Sequence, residues 1–166
     1  MLKRTIIKGM QAILTFTFLF GFAFLSTTSA SAERMPVKNI HFMQNSAKNT
    51  TGNYTVWDNA IALKKGTLNP QSLPAIKVWQ EDTPPYRIWT LDHRRLIAFK
   101  LAGIKTIDVE WATTKEIQHN AFKYSTKDGG NSIKLKSQQG PFFVNRTQNY
   151  SGWTMQHLLE LRDRFQ

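Results

Sequence analysis

The sequence predicts an α/β (α+β) fold: a single domain with a mixed sheet and short helices, following a cleaved signal peptide. Two observations indicate this class. Strand-like segments alternate with helix-like segments, and turn residues stand at the joints between them. At residues 87–103 a short apolar strand also runs directly into a short apolar helix, an order that favours a sheet covered by helices.

The first 32 residues have the pattern of a secretory signal peptide. Basic residues come first, residues 12–25 are largely apolar, and residues 30–32 read Ala-Ser-Ala, the small-residue pattern of a cleavage site. The apolar stretch is shorter than the roughly 20 residues of a membrane-spanning helix, so we expect no transmembrane segment in the mature chain. We predict cleavage before Glu33, export to the periplasm or the medium, and one domain over residues 33–166.

The mature chain is basic and has no cysteine. Three of the 22 basic residues and none of the 11 acidic residues precede Glu33, so residues 33–166 carry 19 basic and 11 acidic side chains, a net charge of +8. This excess favours a polyanionic partner, although an acidic cell surface or simple solubility explains it nearly as well. Without cysteine the domain has no disulfides, and packing alone must stabilise it.

Before residue 92 the pattern predicts a strand, a loop, a helix and a hairpin. Thr55 and Asp58 can form a capping box for the helix, and Gly66 can end it in a left-handed turn. Two prolines mark the turn of the hairpin. In order, the predicted elements are a strand at 37–44, a loop at 45–53, a helix at 55–66 and strands at 75–79 and 86–91.

The central helix is predicted over residues 94–102. Asp92 is a suitable N-cap, Gly103 can end the helix, and only Lys100 is polar beyond its first turn, so we expect the helix to be buried nearly all round and packed on the sheet. Residues 106–111 predict a returning strand. The strand, helix and strand would form a compact βαβ unit.

Beyond residue 111 a capping box at Thr113 and Glu116 predicts a short helix. A hairpin is predicted from residues 122–126 and 132–136, followed by a strand or packing loop at 140–144. The hairpin would project four lysines as a basic finger that contacts nucleic acid, or simply keep a sheet edge soluble: Lys123, Lys127, Lys134 and Lys136. The last helix has one apolar face that should dock on the sheet, formed by Thr154, Leu158, Leu161 and Phe165.

The first turn of the central helix contains His93, Arg94 and Arg95. Cations at a helix N-terminus oppose its dipole, at a cost of about 0.3–1 kcal/mol each when exposed. A bound phosphate would remove the conflict, since it would accept hydrogen bonds from the free backbone N–H groups and from the arginines. Alternatively, the arginines pair with nearby carboxylates or point into solvent.

Four segments carry a resemblance to a known superfamily: Leu-Asn-Pro at 68–70, Leu-Pro-Ala-Ile-Lys-Val at 73–78, Ile-Trp-Thr-Leu-Asp-His-Arg-Arg-Leu-Ile-Ala-Phe-Lys-Leu-Ala-Gly at 88–103, and Ile-Asp-Val at 107–109. They resemble the core of the ParB/sulfiredoxin-like superfamily over about residues 37–111, which leaves residues 112–166 outside the likeness. The sequence at residues 42–46, 67–70 and 89–96 is most similar to toxin-associated domains at the C-termini of Rhs-type polymorphic toxins.

The resemblance implies that His93, Arg94 and Arg95 bind nucleotide phosphates. Superfamily members include CTP-hydrolysing partition proteins, sulfinic acid reductases, a free-serine kinase and nuclease-like toxin domains. Asp92 replaces the usual glycine of the motif and brings a carboxylate close to any phosphate. This disfavours tight nucleotide binding unless a metal ion, such as Mg²⁺ bound with the nucleotide, bridges the two. The cysteine of sulfiredoxin chemistry is absent, which excludes reductase activity.

Three functional hypotheses remain. In the first, the protein is an exported nuclease or nucleotide hydrolase, with His93 and Asp92 as catalytic residues and His93 transferring the proton. In the second, it binds a nucleotide or phosphate without chemistry and signals to a protein partner, for which an immunity-type protein is one candidate. In the third, it is an interaction protein that has kept the fold and lost the ligand.

Overall fold

The computed structural model describes residues 32–165, which form ten strands and four α-helices. The strands are β1 (Glu33–Pro36), β2 (Ile40–Phe42), β3 (Ser46–Lys48), β4 (Thr50–Thr51), β5 (Tyr54–Thr55), β6 (Ile76–Gln80), β7 (Ile88–Thr90), β8 (Thr106–Trp111), β9 (Ser132–Lys136) and β10 (Phe142–Asn145). The helices are α1 (Val56–Lys65), α2 (His93–Leu101), α3 (Thr114–Asn120) and α4 (Met155–Phe165). This is the mixed α+β architecture with short helices that the sequence predicts.

The predicted signal peptide, except for Ala32, lies outside the described residues. Within residues 32–165 no helix combines the length and the apolar character needed to cross a membrane.

Five strands form the larger sheet, in the order β1-β8-β6-β7-β2. β6 and β7 pair antiparallel, which confirms the hairpin, and β2 runs parallel to β7. β8 lies beside β6 and parallel to it. The predicted βαβ unit is therefore wrong in its pairing: β7 already has a neighbour on each side, so the chain returning from α2 pairs with the other edge of β6.

The first strand is also shorter than predicted. A 3₁₀ turn occupies Val37–Asn39, and only residues 40–42 of the predicted span 37–44 form β2. Ahead of that turn, β1 pairs antiparallel with β8, which closes the far edge of the sheet.

A smaller sheet has the order β10-β9-β3, with β9 antiparallel to β10 and parallel to β3. We expected the residues of β3 to form a loop, and this expectation was wrong. Ala47 is buried between the more exposed Ser46 and Lys48, but a single apolar residue in three is too short an alternation to predict a strand. Beside this sheet, β4 and β5 form a short antiparallel pair.

Local sequence signals account for the ends of the helices. The capping boxes at the starts of α1 and α3 both form, and Gly66 ends α1 with a φ of +76°. Gly103 follows α2 with a φ of +80°, as predicted. α2 is buried from Leu96 to Ala102, which confirms that this helix lies inside the core, where it packs against α1.

The C-terminal helix packs against α1 and against the smaller sheet. The rings of Phe165 and Trp57 are stacked 6.5 Å apart, and the ring of Phe165 also lies 5.4 Å from that of Phe142 in β10. Its predicted apolar face buries Leu158, and Phe165 on that face contacts β10, so the predicted docking on a sheet is confirmed for the smaller sheet.

The predicted hairpin of residues 122–136 does not form. Its first half contains the 3₁₀ turn Ala121–Lys123, and the chain then crosses the other face of the larger sheet, where Phe42 N donates to Gly130 O at 3.1 Å. A Cβ at Gly130 would lie 2.5 Å from the ring of Trp89. Gly129 and Gly130 allow the chain to approach the sheet closely. β9 pairs with β3 and β10 instead of forming the predicted hairpin.

Candidate phosphate-binding site

Two residues separate β7 from the first residue of α2, and the second of them, Asp92, occupies the N-cap position of the helix. The side chain makes no capping hydrogen bond. Instead, its Oδ2 accepts the Lys77 N–H at 2.7 Å, and its Oδ1 lies 2.6 Å from Arg95 Nη2. The predicted N-cap role is therefore wrong, because β6 and Arg95 engage the carboxylate. The first N–H groups of α2 are left without this cap.

Arg95 stabilises the fold at this joint. Besides its ion pair with Asp92, it donates from Nη1 to the carbonyls of Pro74 and Ala75, just before β6. Its predicted role in phosphate binding stays a prediction, and the observed contacts engage both Nη1 and Nη2 of the guanidinium. The alternative interpretation, pairing with a nearby carboxylate, is correct for this arginine.

Arg94 has a different environment. Its side chain is exposed, and Nη1 donates to Thr50 O at 2.7 Å. A guanidinium has five N–H donors, so this bond fixes its position and leaves donors for a ligand. Arg94 is the arginine of the motif that is placed to bind an anion.

His93 is 4% exposed, and its Nε2 accepts the Gln44 N–H at 3.1 Å. Burial, together with the nearby positive charge of Lys123, lowers its pKa to about 3. The imidazole is therefore neutral at physiological pH, with Nε2 occupied by a backbone donor. This environment fits a histidine that joins α2 to the end of β2, and it opposes the proton transfer that we predicted for this residue.

The four lysines predicted on one basic finger separate into different places. Lys123 and Lys136 line the same cleft as His93 and Arg94, whereas Lys127 and Lys134 are not among its lining residues. Lys134 lies over the ring of Phe143, with Nζ 5.6 Å from the ring centre. The finger is absent because residues 122–131 cover the larger sheet, and two of its lysines join the motif instead.

These residues surround a cleft of about 760 Å³ at the N-terminus of α2. We call it the basic cleft. Of the described residues that line it, five are basic and one is acidic: Lys48, Arg94, Arg95, Lys123 and Lys136, with Asp92. Lys48 and Lys136 face each other in the pairing of β3 with β9. Like charges in directly opposed positions destabilise a sheet, so a bound anion would relieve this repulsion.

Sequence reasoning missed Lys48 and Gln44. Both belong to the span 44–48, most of which was assigned to a loop, yet Gln44 holds His93 and Lys48 lines the cleft. No local pattern identifies them, since Gln44 is placed by its contact with His93 and Lys48 by the pairing of β3 with β9.

Metal-binding side chains are not gathered at the cleft, and the described residues contain no group of three or more that could hold a metal ion. Both oxygens of Asp92 already have partners, so a magnesium ion would need most of its ligands from a nucleotide. Comparison of the chain with protein-family models, curated proteins and solved structures gave no match.

Proposed function

We propose that residues 33–166 form an exported ParB/sulfiredoxin-like domain that binds phosphate groups of nucleic acid or a nucleotide in the basic cleft. The observation that carries the proposal is the convergence of Lys48, Arg94, Lys123 and Lys136 on an uncapped helix N-terminus. Such an end presents backbone N–H groups and a positive dipole to an anion.

The electrostatics favour a polyanion over a single small anion. None of these four side chains forms an ion pair within residues 32–165. Among the described residues of the cleft, Arg95 pairs with Asp92. A cleft of about 760 Å³ with four such cations is large enough for several phosphate groups. Phosphate contacts of this kind supply most of the affinity for nucleic acid.

A nucleic acid strand is favoured over a free nucleotide because the positive surface continues past the cleft. Lys136 and Lys134 alternate with buried residues on β9 and so share its outer face. Phe143 is paired in register with Lys134 on the same face and is 49% exposed. Lysines beside an exposed aromatic ring are typical of surfaces on which single-stranded bases stack.

Binding without turnover is favoured over hydrolysis. The predicted proton-transfer residue, His93, is buried, neutral and hydrogen-bonded at Nε2. The second predicted catalytic residue, Asp92, is engaged by Lys77 N and Arg95. We therefore favour the hypothesis of a binding module, which in an exported protein would present its ligand to a partner such as an immunity-type protein.

The ParB/sulfiredoxin-like assignment is supported by the order hairpin, helix and parallel strand, since β6, β7, α2 and β8 follow each other with the His-Arg-Arg turn at the start of α2. The resemblance ends before α3, and Lys123 and Lys136 come from the part of the chain beyond it.

The test uses charge reversal at Lys136. Fluorescence anisotropy with a labelled single-stranded oligonucleotide measures the affinity of the wild type, of Lys136→Glu and of Lys65→Glu. Lys65 is exposed at the end of α1, away from the cleft, so its variant has the same net charge. We expect Lys136→Glu to weaken binding at least about tenfold and Lys65→Glu much less, because charge-assisted bonds contribute about 1.5–3 kcal/mol.

Lys136→Glu should keep its fold, since it replaces repulsion with Lys48 by attraction. Equal affinities of the two variants would contradict the proposal. Turnover of DNA, RNA or nucleotides by the wild type, with or without magnesium, would show instead that the domain is an enzyme.

A further inference from the structure

Lys100 is a buried cation on α2, remote from the basic cleft. The residue is 3% exposed, and its Nζ donates to Arg146 O at 2.5 Å. Nζ also lies 5.8 Å from the centre of the Tyr150 ring. Within the described residues it pairs with no carboxylate. Buried charges are normally paired, and an ammonium group has three donors, so one carbonyl leaves the charge and part of its hydrogen-bonding capacity unmatched.

This lysine lies in the wall of a second cavity, of about 360 Å³, between the segments 36–38, 103–106 and 147–150. Its lining residues include no carboxylate, and two further lysines, Lys38 and Lys105, belong to it. The cavity shares no lining residue with the basic cleft. Its volume lies within the range of small-molecule sites.

We propose that this cavity binds a small organic carboxylate whose charged group pairs with Lys100 Nζ and whose apolar part packs against Val37, Ile104 and Tyr150. A monocarboxylate fits better than a phosphate ester because the buried cation of the lining is one ammonium, with no guanidinium among the described lining residues. The apolar lining gives the ligand's hydrocarbon part a place away from water. This proposal does not depend on the function of the basic cleft.

The electrostatics of the cavity agree with this ligand. Burial and the positive charge of Arg146 lower the pKa of Lys100 to about 8. The other ionisable groups of the cavity do not oppose that shift: Lys38 and Lys105 are cationic, and burial raises the pKa of Tyr150, which keeps the phenol neutral. A bound carboxylate would stabilise the charged ammonium, so its binding above pH 8 should take up a proton.

The experiment is isothermal titration calorimetry of the purified protein with hexanoate, with hexan-1-ol and hexylamine as ligands of the same chain length. We expect saturable binding of hexanoate and much weaker binding of the alcohol and the amine. Lys100→Met keeps an unbranched side chain without the charge, and it should weaken hexanoate binding at least about tenfold. Arg94→Ala, in the basic cleft, should leave it unchanged.

The proposal is overturned if hexanoate binds no better than hexan-1-ol, or if Lys100→Met and the wild type bind hexanoate with equal affinity. If Lys100→Met does not fold, the comparison of hexanoate with hexan-1-ol and hexylamine on the wild type still tests the proposal. Titrations in two buffers of different ionisation enthalpy measure proton uptake, and binding at alkaline pH without uptake would equally refute the role of Lys100.

Discussion

His93 belongs to the motif but performs a structural task, since its Nε2 holds the backbone at Gln44 and its ring is buried. The sequence could identify the residue as important but not assign its protonation, because burial was not visible there. Arg94 and Arg95 are a similar case. They are adjacent and identical in type, yet one is exposed near the cleft and the other is paired with Asp92.

The buried state of His93 predicts a pH dependence of stability. The folded protein has a His93 pKa of about 3 against 6.5 for an ordinary histidine. Below pH 6.5 the unfolded chain therefore binds a proton that the folded protein does not, so the free energy of unfolding falls as the pH decreases, by up to about 1.4 kcal/mol per pH unit. His93→Gln can keep an acceptor for Gln44 N–H and should lose this part of the slope.

Urea unfolding between about pH 7 and pH 5 measures the effect, a window in which few other side chains titrate. His119→Gln, which removes an exposed histidine, is the control and should retain the wild-type slope. His41, whose pKa is also lowered, mainly by burial, contributes in the same direction to all three proteins. Equal slopes for the wild type and His93→Gln would show that His93 titrates as an ordinary histidine.

At the scale of elements, the sequence predicted what local chemistry determines. Capping boxes at Thr55 and Thr113 fixed the starts of α1 and α3, and paired prolines marked the hairpin of β6 and β7. β3 and the path of residues 122–131 were missed, because both depend on partners distant in the sequence. The sequence therefore predicted the side of the basic cleft that α2 forms, because a local motif marks it. It did not predict the side that β3 and β9 form, because that side depends on strand pairing.

The two glycines that follow α1 and α2 allow a matched test of packing at helix ends. Gly66 and Gly103 have φ values of +76° and +80°, and a Cβ at Gly66 would meet nothing within 4 Å. A Cβ at Gly103 would lie 2.6 Å from the backbone Cα of Ser151. Gly66→Ala should cost about 1–2 kcal/mol, the usual penalty for left-handed backbone.

Gly103→Ala should lower the free energy of unfolding by more than Gly66→Ala does, because the backbone at Ser151 must also move. Equilibrium unfolding of the two variants in urea measures the difference. Equal losses would show that α2 does not approach Ser151 closely in solution.

At the scale of the whole molecule, the charge excess of residues 33–166 is concentrated where phosphates are expected, which makes binding sensitive to salt. If the four unpaired cations of the basic cleft each neutralise one phosphate, the logarithm of the affinity for a single-stranded oligonucleotide should fall with the logarithm of salt concentration with a slope of about −3. Lys136→Ala should reduce the size of this slope by about 0.7. Anisotropy titrations over a range of sodium chloride concentrations measure both, and a slope near zero would exclude phosphate contacts.

The parallel pairing of β3 with β9 joins residues 46–48 to residues 134–136, which are far apart in the sequence. It brings Lys48 and Lys136 together. Pairing at such a separation forms slowly, because a long loop must close before any contact rewards it. A chain that is still being synthesised can present the Asp-His-Arg-Arg segment but not the opposing lysines of β3 and β9. If the basic cleft binds phosphate as we propose, the protein becomes able to bind only after β3 and β9 have paired.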